Sequence, residues 1–224
     1  MRIHGGPTGQ SVACYNPATQ FFVTRGYAVL DVNYRGGTGY GRAYMLALRE
    51  RWGVCDVEDA VSAARYLGEA GIADPSRLVI YGGSAGGYTV LEALCRAPGT
   101  FRAGICLYGV SSLFGLAADT HKFEAHYLDL IVGPLPATAE RYRERSPIFH
   151  ADLIRDPVAI FQGAEDTVVP PAQSEEIVAA LRRGGVPHTY QLYPGEGHGW
   201  RRPETIEAFY TAVEAFLRQH IIFA

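Results

Sequence analysis

The sequence predicts an α/β fold, with a mainly parallel, doubly wound sheet flanked by helices. Short apolar runs alternate along the chain with segments of helical periodicity. The runs are apolar at consecutive positions, as suits strands covered on both faces. The length, 224 residues, fits one large domain over residues 1–224. Such a domain can bury roughly 70% of the surface its unfolded chain exposes. A content of 48% hydrophobic and 19% charged residues is ordinary for a globular chain, and 26 glycines can supply tight strand-to-helix turns.

Five runs read as strands: AVLDV at 28–32, LVIY at 78–81, AGICLY at 103–108, VAIF at 158–161 and TYQLY at 189–193. Helical spacing puts Val57, Ala60, Val61, Ala64 and Leu67 on one face. It does the same for Ile206, Phe209, Tyr210, Val213, Phe216 and Leu217, with Pro203 starting that helix. Residues 172–183 form another helix, ended by Gly184-Gly185. Alternation of this kind implies right-handed crossovers. The stretch 111–150 is the least regular and carries Phe114, Phe123, Tyr127 and Tyr142. A pocket wall or lid, and an ordinary helical excursion with core aromatics, both stay open there.

A formal net charge of −3 suggests no polyanion partner, so no nucleic acid is expected. Arg182-Arg183 and Arg201-Arg202 read as isolated surface pairs. Cys14, Cys55, Cys95 and Cys106 form no CxxC pair, and Cys95 and Cys106 lie in apolar runs that suit the core. A reducing compartment, the cytoplasm, is therefore expected. No signal peptide and no bilayer-spanning run stands out, so no membrane partner is expected. The histidines show no HExxH or paired-ligand spacing, and no metal or cofactor is implied.

Residues 77–89 read RLVIYGGSAGGYT. A strand runs into Gly82-Gly83-Ser84-Ala85-Gly86-Gly87, and a helix follows with Val90, Leu91 and Leu94 inward. This is G-x-S-x-G in the strand–turn–helix setting of a nucleophile elbow. Side chains at Gly82 and Gly86 would collide where helix and strand approach. Ser84 would stand clear at the positive end of the helix, with the Ala85 N–H aimed at a developing oxyanion. A phosphate-binding glycine turn is disfavoured, since no Lys follows in Walker position and GxGxxG is absent.

A hydroxyl needs a base to take its proton. On the α/β-hydrolase fold the partners follow in the order Ser, acid, His, each in a loop after a strand. The strand at 158–161 runs into Gln162-Gly163-Ala164-Glu165-Asp166, and the strand at 189–193 into Pro194-Gly195-Glu196-Gly197-His198-Gly199. His198 is the candidate base, and Asp166 its orienting carboxylate. Glu165 should point the other way, and Glu196 sits in the histidine's own loop. Asp152 and Asp156 precede a strand. His188 precedes another and His220 lies in the last helix, so both read as structural or exposed. The opening His4-Gly5-Gly6-Pro7 matches the HGG segment that supplies a second oxyanion donor. Gly6 is that candidate, with His4 orienting the loop.

Five segments together resemble one family: HGGPTGQ from His4, DVNYRGGTGYGRAY from Asp31, WGVCDVEDA from Trp52, GGSAGG from Gly82, and GAEDTVVP with GEGHGW near the end. They resemble the catalytic domain of prolyl-oligopeptidase-type serine peptidases, closest to the acylaminoacyl-peptidase-like branch. The resemblance implies cleavage of short or N-blocked peptides, with Ser84, Asp166 and His198 as triad and Gly6 and Ala85 as oxyanion donors. Asn33-Tyr34-Arg35-Gly36 is read as a tight turn after a strand near the site. The family's N-terminal β-propeller and first strands are missing from this sequence, so an N-terminally truncated domain is expected. A carboxylesterase of the same fold is the alternative activity, and a truncated inactive fragment or binding module the alternative class. Homo-oligomerisation is left open.

Overall fold

The structure, a computed structural model, describes residues 1–119 and 126–224. Phe123 lies outside the described residues. These form a six-stranded sheet of β1 (Arg2–Ile3), β2 (Asp31–Val32), β3 (Val79–Gly83), β4 (Ala103–Leu107), β5 (Val158–Gly163) and β6 (His188–Tyr193). The order is β2-β1-β3-β4-β5-β6, and every neighbouring pair is parallel. The sheet is thus the doubly wound α/β sheet that the apolar runs predict.

Side chains alternate across a strand, and this alternation makes two cores. Ile80, Cys106 and Ile160 face one side, against Ala60 and Ala64 of α3 (Cys55–Glu69), Val90 and Leu94 of α4 (Ala85–Arg96), and Ile177 of α8 (Pro171–Arg183). Ile105, Leu107, Ala159 and Phe161 face the other side. They meet Phe209, Val213 and Phe216 of α9 (Pro203–Leu217), with Phe22 of α1 (Pro17–Val23) packed alongside. Local signals set the helix ends. Asn16 caps α1 through its side chain, which accepts from Thr19 N at 3.1 Å, and Pro17 occupies the first turn. Gly185, at φ 66°, follows the Gly184 cap of α8.

The irregular stretch holds α5 (Leu113–Asp119), α6 (Tyr127–Ile131) and α7 (Ala139–Glu144), after the short α2 (Arg42–Leu46) earlier in the chain. Its described part packs a third cluster over the start of α4, with Leu113, Leu128 and Tyr142 against Trp52 and Tyr88. Three details differ from expectation. Only Asp31–Val32 of 28–32 forms a strand, because β1 offers two residues to pair with. Tyr108 turns out of β4 at φ 37° instead of continuing it. Ile206 is 38% exposed while Thr205 is buried. The Thr205 side chain bonds the Glu196 carboxylate, which draws that flank of α9 inward.

A cavity of about 530 Å³ lies at the amino ends of β1 and β3, beside Met1, Phe22, Tyr27 and Leu78. It is at the opposite end of the sheet from the candidate residues, which cluster at the carboxyl ends. All four cysteines are free, and Cys55, Cys95 and Cys106 are buried. Among the described residues no helix is long and apolar enough to cross a membrane.

Candidate active site

β3 delivers Ser84 to the N-cap of α4 at φ 57°, ψ −124°. For a residue with a side chain this conformation costs about 1–3 kcal/mol. Two backbone bonds hold it: Ser84 N donates to Leu107 O at 3.0 Å, and Tyr88 N donates to Ser84 O at 3.0 Å. The flanking glycines allow the close approach. A Cβ on Gly82 would lie 2.6 Å from the Gly86 carbonyl, and one on Gly86 would strike the Ile3 carbonyl oxygen. Ser84 therefore sits half-buried at the positive end of α4. Ala85 follows, with its N–H among the four that a helix start leaves without an internal partner.

Asp166 lies in the turn after β5, its carboxylate fully buried. Oδ1 accepts from Val168 N and Val169 N, each at 2.9 Å. Oδ2 meets Gln162 Nε2 at 3.4 Å and His198 Nδ1 at 2.8 Å. A carboxylate oxygen accepts here, so Nδ1 is the donor and Nε2 is the ring nitrogen left outside this bond. His198 comes from the turn after β6, with a side chain 24% exposed.

The loops that carry Asp166 and His198 meet backbone to backbone. Glu165 N donates to Glu196 O at 2.8 Å, and a Cβ on Gly163 would lie 2.5 Å from that same oxygen. Glu196 holds its loop: its buried carboxylate accepts from Arg201 N and Arg202 N, each at 3.0 Å. Glu165 is exposed. Asp156 accepts from Gly99 N, and His188 Nδ1 lies 2.7 Å from Val186 O. Both are remote from these loops in their partners.

On the other flank of Ser84 runs the His4–Pro7 loop. A Cβ on Gly5 would lie 3.7 Å from Ser84 Cβ. His4 Nδ1 donates to Gly5 O at 2.9 Å. Gly5 O and Gly6 N belong to one planar peptide, so fixing the carbonyl fixes the direction of the Gly6 N–H. The His4 ring stacks on Tyr34, with centroids 4.2 Å apart. Burial pushes the His4 pKa down, which keeps the imidazole neutral. Gly6 itself is exposed, at φ 130°.

Tyr34 was legible only as part of a turn, and it forms one: Gly37 N donates to Tyr34 O at 2.9 Å. Its fully buried side chain does more. The hydroxyl donates to Pro7 O at 2.8 Å and lies 3.2 Å from His4 O, so it braces both ends of the loop. Nothing in the sequence links position 34 to position 7. Removing the hydroxyl in Tyr34→Phe is expected to cost about 1 kcal/mol of stability. It should also lower kcat on an ester substrate roughly tenfold, through a displaced loop. Thermal melting and steady-state kinetics check the two halves, and an unchanged kcat would show that the loop keeps its shape without this brace.

The structure thus brings Asp166 and His198 into direct contact. It sets the Ser84 turn beside Gly5 on one side and beside the ring of Tyr108, which also touches His198, on the other. Among the described residues no group of three or more His, Cys, Asp or Glu could hold a metal ion.

Comparison with known proteins follows the same lines. The sequence profile of the prolyl oligopeptidase family matches residues 14–222, a span that contains Ser84, Asp166 and His198 but not His4 to Gly6. The chain is 36% identical to dipeptidyl aminopeptidase BIII of Pseudoxanthomonas mexicana, across 98% of this chain and 32% of that enzyme. A puromycin-hydrolyzing peptidase of Mycobacterium tuberculosis superposes with a TM-score of 0.97 at 46% identity, over 100% of this chain and 34% of the other. An acylaminoacyl peptidase in complex with Z-Gly-Gly-Phe-chloromethyl ketone superposes with a TM-score of 0.90 at 27% identity, over 98% and 36%. The chain spans about a third of the length of these relatives. Profile, identity and superposition agree with the motifs and the sheet: the chain belongs to the prolyl oligopeptidase family.

Proposed function

We propose that residues 1–224 form the catalytic domain of a serine peptidase that cleaves short or N-blocked peptides through an acyl-enzyme. The observation that carries this reading is the Nδ1–Oδ2 bond of 2.8 Å between His198 and Asp166, together with a serine held at positive φ on the turn from β3 into α4. The peptide-derived ligand of the related acylaminoacyl peptidase supports the substrate class.

Ser84 Oγ attacks the scissile carbonyl carbon while His198 Nε2 takes its proton. Asp166, locked by the amides of Val168 and Val169, keeps the proton on Nδ1 and stabilises the imidazolium as it forms. The carbonyl oxygen becomes an oxyanion, received by Gly6 N–H and Ala85 N–H. The imidazolium then protonates the leaving amine. Water, activated by the same base, releases the acyl group and restores Ser84.

A fluorophosphonate probe should label Ser84 in the folded chain, and both p-nitrophenyl esters and peptide anilides should turn over. Ester turnover without detectable anilide turnover would replace the peptidase by a carboxylesterase on the same triad. Folded protein that takes up no probe would make the chain a non-catalytic module.

A further inference from the structure

We infer that Tyr108 is a positioning residue for His198, its ring the wedge that sets the imidazole's place relative to the Ser84 turn. The inference rests on the reading of Ser84 and His198 as nucleophile and base.

Tyr108 leaves β4 at φ 37°, a left-handed backbone that is costly for a bulky side chain. Its amide donates to Phe161 O at 2.7 Å, so the bend stays tied to β5. The ring covers Gly83, the residue before the nucleophile. A Cβ on Gly83 would lie 3.0 Å from Tyr108 Cε2, 3.1 Å from the hydroxyl and 3.2 Å from Cζ. The imidazole of His198 lies against the same ring, with centroids 4.5 Å apart at 54°. Trp200 backs Tyr108 edge-on at 5.3 Å and 78°. The elbow pattern leaves position 83 free to be any residue. Here a side chain at position 83 would press on the ring of Tyr108 and push it by a few tenths of an ångström.

One aromatic plate therefore touches both the nucleophile turn and the base. The bond to Asp166 alone cannot align His198, because an imidazole can still swing about the Nδ1–Oδ2 axis. The ring of Tyr108 stops that swing on one side. A base held this way affects how often Nε2 is in line with the serine hydroxyl, hence kcat more than KM.

The test uses the full chain with Tyr108→Ala, Tyr108→Leu and Tyr108→Phe, read by ester kinetics, thermal melting and the low-field proton resonance of the Asp166-bound Nδ1–H. Tyr108→Ala and Tyr108→Leu should lower kcat about 10- to 100-fold with KM within about threefold. Their low-field resonance should broaden into solvent exchange. Tyr108→Phe should recover most of the rate and the resonance, since the ring makes the contacts to His198. Tyr108→Leu guards against collapse of the smaller variant, and a cooperative melt confirms that each is folded. A folded Tyr108→Leu with full kcat and a sharp resonance overturns the inference, as does a loss in Tyr108→Phe equal to that in Tyr108→Ala. Unlabelled Ser84 in wild type, or full activity in His198→Ala, instead brings down the triad reading.

Discussion

Ser84→Ala is expected to lower kcat by roughly four to six orders of magnitude and to leave the fold in place. The backbone bonds that shape the turn, from Ser84 N to Leu107 O and from Tyr88 N to Ser84 O, do not involve the side chain. Alanine meets the same strain at φ 57° as serine does, so the substitution removes one oxygen and little else. What remains is binding and the oxyanion stabilisation proposed for Gly6 N–H and Ala85 N–H, which alone would give about 10³–10⁴-fold over water. Since the proposed triad has Ser84 and His198 act as one unit, adding His198→Ala to Ser84→Ala should cost almost nothing more. Steady-state rates of the two single variants and the double variant, with circular dichroism to verify folding, decide the matter. A Ser84→Ala enzyme within a hundredfold of wild type would place the nucleophile elsewhere.

What could be read from the sequence is what is local in the chain. The Ser84 turn is written in six consecutive residues, and the collisions inferred for Gly82 and Gly86 are present as close backbone approaches. Asp166 and His198 are 32 residues apart, yet each follows an apolar run, and a parallel sheet must bring the ends of neighbouring strands together. Tyr34, Tyr108 and Gln173 were not legible as supports. Gln173 Oε1 accepts from Ser111 N and Ser112 N, 62 and 61 residues away, and such pairings exist only once the chain has folded. Secondary structure failed for the same reason at 28–30, where β-propensity is high but β1 reaches back only as far as the Arg2 amide, which bonds Leu30 O at 2.8 Å. Glu196 could be demoted as the acid by its place in the histidine loop. Its actual work, gathering the amides of Arg201 and Arg202, had no sequence signal.

A second large effect is expected in the pH dependence of stability, carried by two acids on the helices behind Ser84. Asp56, in the first turn of α3, is fully buried and accepts from Gly53 N at 2.7 Å and Thr89 Oγ1 at 2.6 Å. Burial outweighs these bonds and pushes its pKa from 3.8 up to about 6. Glu92, fully buried on α4, pairs through one oxygen with Arg96, and its other oxygen has no partner among the described residues. Burial pushes its pKa from 4.5 up to about 7, against the attraction of Arg96. Both acids bind protons more tightly folded than unfolded. Their contribution is fully present below about pH 4 and is lost as pH rises through about 6 and 7. A shift of two units or more corresponds to about 3 kcal/mol for each group. Urea unfolding at pH 5 and pH 8 should therefore show Asp56→Asn and Glu92→Gln gaining on wild type at the higher pH. In Asp56→Asn the Thr89 hydroxyl can turn to Ala85 O, already 3.1 Å away, so its proton keeps an acceptor. A wild-type-minus-variant difference that is flat between the two pH values would mean that neither acid titrates in this range. Acidification should then act on the molecule in two opposite senses. It relieves the buried charges of Asp56 and Glu92, while burial of the His4 ring and of the Met1 amino group, both held below their ordinary pKa, opposes protonation there.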